Sequence, residues 1–308
     1  MKIIFAGTPA FALPSLVALH AAGHEITAVL TQPDAPQGRK GVLTPPPVKI
    51  KAQELGIPVL QPARLRDEAE LLRTVGAPLM VTCAYGQLLT QEILDLFPRG
   101  VWNVHASLLP AYRGAAPIAR CIIDGADKTG VTIMKTDIGM DTGDLFLTEE
   151  CAITEEDTCR TLTEKLADTG ARLIVSALEK IERGDVSLVK QGEGTVCKKV
   201  ARTEVDFSRS AQEVSALIRG LSPAPLAFGR IGALTLNFYN AQAVSNDDAV
   251  PCGTVLCDQP KEGFLVKCGA GAVQITQVQP AGGKLMSARD FLNGRKVQKG
   301  QRFEKPVL

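Results

Sequence analysis

The chain has 308 residues, 45% of them hydrophobic and 22% charged, with a formal net charge of +1 at pH 7. This composition is typical of a globular protein, and the length favours two domains. No apolar run approaches the ~20 residues of a membrane-spanning helix. The chain begins with a strand-like run, not a signal peptide, so we expect a cytoplasmic protein with no membrane association.

Charge and cysteine content narrow the possibilities further. Residues 1–188 hold 18 Lys and Arg against 23 Asp and Glu, a net charge of −5, and residues 189–308 hold 16 against 10, a net charge of +6. A basic C-terminal part hints at a polyanionic partner, although ordinary scatter between two domains explains it equally well.

The eight cysteines form no CxxC pair and only three histidines are present. We therefore predict free thiols in a reducing compartment and no metal site.

The first thirty residues predict a β-α-β unit. KIIFAG (2–7) and ITAVLT (26–31) are apolar runs typical of buried parallel strands, and FALPSLVALHAAG between them has helical spacing up to Gly23. The turn GTPAF lacks the glycines of a GxGxxG fingerprint, which disfavours a dinucleotide site. Residues 32–47 are too rich in Pro and Gly for regular structure and predict a binding loop or lid.

Strands and helices then alternate up to residue 183. We predict helices at 48–55, 67–75, 88–97, 117–125 and 158–183, and strands at 57–60, 78–86, VWNVH, 130–137 and 144–153, the last two antiparallel. The polar residues 189–206 predict a linker between domains at 1–188 and 207–308. The second domain begins with a helix (210–221), continues with short strands typical of a small barrel or sandwich, and ends with a helix at 286–295.

The stretch from Val101 to Asp144 carries the residues with the clearest chemistry. Asn103 and His105 are two apart on a strand, so they share a face, and His105 lies at the carboxyl end, where open α/β sheets bind ligands. Asp141 follows on a glycine-rich loop. An amide donor, an imidazole and a carboxylate that can orient it suit attack of an amine on an acyl carbon. A purely structural histidine fits the spacing as well, and Ser107 is a weak candidate nucleophile.

Several strings resemble the methionyl-tRNA formyltransferases, within the folate-dependent formyltransferase superfamily. The resemblance runs essentially end to end through FAGTPAFALPSL, TQPDAPQGRKG, AYGQLL, NVHASLLPAYRGAAPI, GVTIMKTDIGMDTGD and QPAGGKLMSARDFLNG. The two central strings are specific for the superfamily, and the first and last narrow it to the tRNA enzymes. One departure is Ala224 between Pro223 and Pro225, where the family often has Trp.

The resemblance implies a doubly wound, mostly parallel Rossmann-like sheet followed by a smaller OB-like β-barrel that binds tRNA. It implies formyl transfer from 10-formyltetrahydrofolate to initiator methionyl-tRNA, by a monomer without a metal. The resemblance also implies three groups of site residues. These are the catalytic Asn103, His105 and Asp141; the folate-binding Ser107, Leu108, Leu109, Pro110, Tyr85, Gly86, Gln87, Leu88 and Asp137; and the tRNA-contacting Arg39 and Lys40 in the 34–47 loop.

Three other functions share part of this pattern. A formyltransferase acting on a nucleotide-linked amino sugar would keep the Asn-His-Asp trio but would not bind tRNA. A hydrolase would release formate from the same folate without an acceptor. An RNA-binding module without enzymatic activity would have no use for the trio.

Overall fold

The computed structural model of this chain describes residues 1–38, 41–261, 263–294 and 296–306. These residues form two compact units. The first comprises Met1–Ala115, Thr129–Cys151 and Thr163–Cys197, and the second comprises Ala116–Lys128, Ala152–Leu162 and Lys198–Leu308. No helix in the described ranges is long and apolar enough to cross a bilayer.

Eighteen strands and eight α-helices are numbered here in chain order, within the described residues. The strands are β1 (Lys2–Gly7), β2 (Glu25–Leu30), β3 (Ala35–Gln37), β4 (Val42–Thr44), β5 (Val59–Leu60), β6 (Leu79–Cys83), β7 (Val101–His105), β8 (Arg113–Gly114), β9 (Lys128–Lys135), β10 (Leu145–Ala152), β11 (Val196–Cys197), β12 (Thr203–Glu204), β13 (Ala227–Ile231), β14 (Leu234–Val244), β15 (Val255–Cys257), β16 (Phe264–Lys267), β17 (Ala272–Pro280) and β18 (Met286–Ser287). The helices are α1 (Leu13–Ala21), α2 (Pro47–Glu54), α3 (Ala69–Val75), α4 (Gln91–Asp95), α5 (Pro117–Ile123), α6 (Cys159–Arg183), α7 (Ala211–Gly220) and α8 (Ala288–Asn293). Short 3-10 helices form at Ala10–Ala12 and Leu65–Asp67.

The first unit is built on a seven-stranded sheet of order β10-β9-β7-β6-β1-β2-β5. The five strands from β5 to β7 run parallel and β9 pairs antiparallel to β7. This confirms the predicted mostly parallel α/β sheet. The chain adds β2 and β5 on one side of β1 and then returns to add β6 and β7 on the other. Such a reversal opens a crevice at the carboxyl ends of the central strands, where α/β enzymes bind their ligands.

The central strands form because their residues are apolar on both faces. Every residue of β6 is buried, and in β1 all but Lys2 are buried. Alternate residues of these strands, such as Ile4, Ala6 and Met80, pack in one core cluster with Ile93 of α4. A strand that is apolar on both faces is stable only between two covering layers, which fixes β1 and β6 in the centre of the sheet.

Residues 32–47 differ from the prediction of an irregular loop. β3 and β4 pair antiparallel as a hairpin, with Ala35 opposite Thr44 and Gln37 opposite Val42. Pro36 is tolerated because an isolated two-stranded ribbon is all edge, so a missing N–H costs no interior ladder bond. The prediction that proline and glycine exclude regular structure here was therefore wrong.

The second unit contains a separate sheet of order β12-β13-β14-β17-β16-β15, with β18 paired to β17. The long strands β14 and β17 pair antiparallel, and α7 and α8 contribute to the same apolar core. Phe207, Phe238 and Phe303 meet there with ring centroids 5.0 to 6.2 Å apart. A separate C-terminal sheet domain was predicted and is confirmed. The OB-like barrel and the domain limits at 188 and 206 stay predictions.

Candidate active site

Asn103 and His105 lie on β7, next to the crevice. Thr82 on β6 pairs with Asn103, and its hydroxyl donates a 2.9 Å hydrogen bond to Asn103 Oδ1. This bond orients the amide, because Oδ1 is the only acceptor of the side chain. The Nδ2 donor of Asn103 therefore faces Asp141, and it lies 3.5 Å from Oδ1 of that carboxylate.

His105 is buried, with 6% of its side chain exposed. Its Nε2 lies 3.1 Å from the carbonyl oxygen of Tyr112, and its Nδ1 lies 3.6 Å from Asp141 Oδ2. A carbonyl can only accept, so Nε2 carries a hydrogen. The contact of Nδ1 with Asp141 Oδ2 is longer than a hydrogen bond, so the two groups are close without being bonded in this structure.

Asp141 completes the trio from the loop between β9 and β10. Its backbone φ is +54°, in the left-handed region that Asp adopts more readily than most residues. The backbone N–H of Gly114 donates a 2.8 Å bond to Oδ2, while Oδ1 faces Asn103. The structure thus brings together the three residues that the sequence singled out as catalytic.

Residues 107–110 form the turn that follows β7. The Ser107 hydroxyl is fully buried and donates a 2.6 Å bond to the carbonyl of Ala111. Thr132 ties the turn to β9, since its hydroxyl donates to Ser107 O and accepts from the Leu109 N–H. Leu108 and Pro110 are half-buried. Because its hydroxyl is engaged inside the turn, Ser107 is poorly placed to act as a nucleophile.

The segment from Tyr85 to Leu88 follows β6. Tyr85 is buried, burial raises the pKa of its phenol, and its hydroxyl has no hydrogen-bond partner among the described residues. Gln87 donates to Pro62 O and accepts from the Leu65 N–H, which fixes the neighbouring segment. Leu88 is 72% exposed.

An open cleft of about 460 Å³ borders this segment. It is lined by Gln32, Ala63, Arg64, Arg66, Gly86, Gln87 and Leu88. The sequence prediction included the last three but missed Gln32, Arg64 and Arg66. Their position just after β2 and β5, at the carboxyl edge of the sheet, was the available signal.

The loop between β9 and β10 is shaped by Asp137. Its Oδ1 accepts from the Gly139 N–H at 3.0 Å and from the Thr142 hydroxyl at 2.8 Å. Asp144 uses its backbone carbonyl, which accepts from the Lys135 N–H. These three hydrogen bonds close the loop, and Asp141 is the carboxylate of the loop that faces His105.

Part of the predicted linker packs beside this site. Residues 189–197, which we call the strap, run along the segment 110–115, and β11 pairs parallel with β8. A Cβ added to Gly114 would lie 2.6 Å from the carbonyl oxygen of Cys197, so the approach requires glycine. The sequence prediction did not include Tyr112, Gly114 or the strap. The strap contacts Tyr112 and Arg113 across 83 and 78 positions of the chain, and such a pairing leaves no local pattern in the sequence.

Two further expectations concern cations. Arg39 and Lys40, which were predicted to contact tRNA, lie outside the described residues. Within the described ranges, no group of three His, Cys, Asp or Glu side chains is arranged to hold a metal ion. None of the eight cysteines, all of which lie in the described ranges, forms a disulfide.

The fold and the trio define an α/β enzyme whose polar residues gather at the carboxyl edge of a mostly parallel sheet. The chain belongs to the formyl transferase family, whose N-terminal model matches residues 1–178 and whose C-terminal domain model matches residues 198–296. The family resemblance seen in the sequence is thereby confirmed.

Curated relatives match over nearly the whole chain. The methionyl-tRNA formyltransferase of Herminiimonas arsenicoxydans is 43% identical over 99% of this chain and 100% of its own length. That of Chromobacterium violaceum is 45% identical over 98% and 99%. The relatives therefore match this chain across both its N-terminal and its C-terminal family domains.

Solved structures with the same fold are more distant in sequence. The N-formyltransferase from Helicobacter canadensis, in complex with folinic acid and dTDP-3-aminofucose, is 18% identical with a TM-score of 0.67, over 89% of this chain and 99% of that one. HypX from Aquifex aeolicus in complex with tetrahydrofolic acid has the same identity and TM-score, over 95% of this chain and 47% of that one. At this identity the similarity supports the fold.

Proposed function

We propose that this chain transfers the formyl group of 10-formyltetrahydrofolate to the α-amino group of methionine on initiator methionyl-tRNA, in the cytoplasm. The observation that carries the chemistry is the contact of Asp141 with both Asn103 and His105, at 3.5 and 3.6 Å. The acceptor is inferred from the near full-length identity to enzymes of that name.

In this proposal the amine attacks the formyl carbon directly. Asn103 Nδ2 and the Nδ1 edge of a protonated His105 donate to the oxygen that gains charge, and each such donor contributes roughly 2.7–4 kcal/mol in well-studied hydrolases. Asp141 stabilises the charged imidazole and, through a water, accepts the proton that the amine loses. When the tetrahedral adduct collapses, the bond between the formyl carbon and N10 of the folate breaks, and this proton passes to N10, so that tetrahydrofolate leaves. The longer contacts of Asp141 leave space for the reacting atoms, and such contacts tighten when substrate binds.

The folate would bind in the cleft that residues 86–88 line. There, backbone groups and the exposed Leu88 would face the flat pterin ring, and Arg64 and Arg66 would complement the negative charge of a glutamate tail. The folate supplies the activated formyl group. Ser107 to Pro110 and Asp137 would act by shaping the two turns that border the reacting centre.

The tRNA would contact the basic C-terminal part and the β3–β4 hairpin. Residues 189–308 carry a net charge of +6, which favours a polyanion through release of counterions. We keep the OB-like barrel, the domain limits at 188 and 206, the contacts of Arg39 and Lys40, and a monomeric state as parts of this proposal.

The test is formylation of charged initiator tRNA compared with charged elongator methionyl-tRNA. We expect rapid transfer to the initiator and slow transfer to the elongator. Transfer to a dTDP-linked amino sugar, with none to either tRNA, would replace the proposed acceptor by the sugar alternative, which the fold of the Helicobacter canadensis enzyme keeps open. Formate release without any acceptor would identify a hydrolase.

A further inference from the structure

The side-chain amide of Gln191 has all of its hydrogen-bonding capacity in use. Its Nε2 donates to the carbonyl oxygens of Asp141 and Gly143, at 3.0 and 2.6 Å. Its Oε1 accepts from Nε and Nη2 of Arg113, at 3.0 and 2.8 Å. An amide has two donor hydrogens and two acceptor lone pairs. Gln191 therefore bridges the Asp141 loop to the segment that contains Gly114.

The strap holds Gln191 in place from both sides. On one side, the backbones of Val189 and Leu145 exchange two hydrogen bonds of 2.8 and 2.9 Å. On the other, Thr195 accepts from the Arg113 N–H and its hydroxyl accepts from the Tyr112 N–H. The guanidinium of Arg113 also donates to Gly192 O, at 2.9 Å.

Gln191 thus acts on the backbone from which the Asp141 carboxylate projects. Asp141 has a left-handed φ of +54°, a conformation that is unfavourable without local support. The Gln191 amide donates to the backbone carbonyl of Asp141, while the Gly114 N–H donates to Oδ2 of the Asp141 side chain. Two fixed points, one on the backbone and one on the side chain, determine the direction of the carboxylate.

We propose that Gln191 is a positioning residue, which sets the Asp141 carboxylate against Asn103 and His105. This rests on the proposed function only in that Asp141 takes part in the reaction. Gln191 is then part of the active site, and not of a passive linker to the C-terminal unit.

The experiment compares Gln191→Met with Glu193→Ala in the full-length protein. Methionine keeps the length and loses all four hydrogen bonds, whereas Glu193 is an exposed neighbour on the same strap. We expect Q191M to lower kcat by ~10- to 100-fold, because small displacements of a catalytic group have effects of this size. KM for folate and for the acceptor should stay within about twofold of wild type, as should every parameter of E193A.

Nuclear magnetic resonance of ¹⁵N-histidine-labelled protein gives a second readout that needs no substrate. The chain has three histidines, and a His105→Gln variant assigns the signal of His105. In Q191M the ring signals of His105 should shift while those of His20 and His24 stay. A residue that only stabilised the fold would leave the His105 signals and kcat unchanged below the unfolding transition.

A double variant decides whether Gln191 acts through Asp141. In single-turnover assays, Q191M added to Asp141→Asn should change the rate by less than about twofold, because the carboxylate to be positioned is already lost. A full further loss in that background, or a folded Q191M with normal kcat and normal His105 signals, would overturn the proposal.

Should Q191M fail to fold, Gln191→Glu carries the same test, since it keeps the acceptor for Arg113 and loses both donors. If wild type formylates a different amine, the proposed acceptor is wrong and the comparison is made with that amine.

Discussion

At the scale of single residues, His105 is the group on which the proposed chemistry depends most. It is buried, its Nε2 is engaged by Tyr112 O, and its Nδ1 faces Asp141. The contact of Nε2 with Tyr112 O therefore fixes the orientation of the ring without using Nδ1. In the proposed mechanism, Nδ1 donates to the formyl oxygen.

Replacement of His105 by Ala should lower kcat by at least ~100-fold, because a preorganised donor to the oxyanion is removed. Folate binding, measured by calorimetry with tetrahydrofolate, should change by less than about twofold, since the cleft beside Leu88 is built from other residues. The exposed His20→Ala is the matched control. Near-normal turnover in H105A would contradict the assigned role.

Gly114 offers a test of the backbone around the trio. Its φ is +104°, and a Cβ would lie 2.6 Å from the Cys197 carbonyl. Gly114→Ala should therefore displace the N–H that donates to Asp141, and lower both stability and kcat. Gly184 also has a positive φ, +78°, with nothing near its missing Cβ. Gly184→Ala should cost about 1–2 kcal/mol of unfolding free energy and leave kcat unchanged. Equal kcat values in the two variants would contradict this view of the site.

At the scale of elements, the β3–β4 hairpin is anchored at its base by charge. Lys49 Nζ donates to both carboxylate oxygens of Asp34, at 2.8 and 2.9 Å, and Gln61 donates to Oδ1. The hydrogen bond from Lys49, and then that from Gln61, hold the pKa of the Asp34 carboxyl below its usual value. The hairpin is thus fixed at the sheet while its far end reaches Gly38 and Gly41.

The helix α7 begins with a reciprocal cap that predicts a pH effect. Ser210 accepts from the Glu213 N–H, and the Glu213 carboxylate accepts from the Ser210 hydroxyl and N–H. These bonds lower the pKa of Glu213, so the folded state is stabilised above the unfolded pKa of about 4.3 and loses this contribution as pH falls.

Glu213→Gln should therefore be less stable than wild type near pH 7. The difference should begin to shrink as the pH falls below the unfolded pKa of about 4.3, and it should disappear below the lowered pKa of the folded state. Urea unfolding at several pH values measures it, with the exposed Glu193→Gln as a control. A difference that stayed constant down to acid pH would show that charge plays no part in this cap.

At the scale of the whole molecule, charge is divided between the two parts of the sequence. Residues 1–188 carry −5 and residues 189–308 carry +6. If the basic part contacts tRNA phosphates, the affinity for tRNA should fall steeply with salt, with a slope in log units of roughly −0.7 to −0.9 per phosphate contact. Filter binding across a salt series measures the slope. The affinity for tetrahydrofolate should change little over the same series. An affinity for tRNA that did not depend on salt would contradict the proposed contact between the basic part and the tRNA phosphates.

The strands with a clear apolar pattern could be predicted from the sequence. β1, β2 and β6 are apolar on both faces, and such runs are stable only inside a covered parallel sheet. The spacing of Asn103 and His105 on β7 likewise placed both on one face, because side chains alternate along a strand. The charge of the C-terminal part and the family resemblance were also evident from the sequence.

Tertiary structure alone decided which distant groups meet. The hairpin depends on pairing across Gly38 and Gly41, and the strap depends on contacts between Gln191 and Arg113, 78 residues apart. Such contacts leave no local period in the sequence, because the partners are chosen by how the chain returns to the sheet and not by their neighbours. A polar stretch that looks like a linker can therefore complete the site around Asp141.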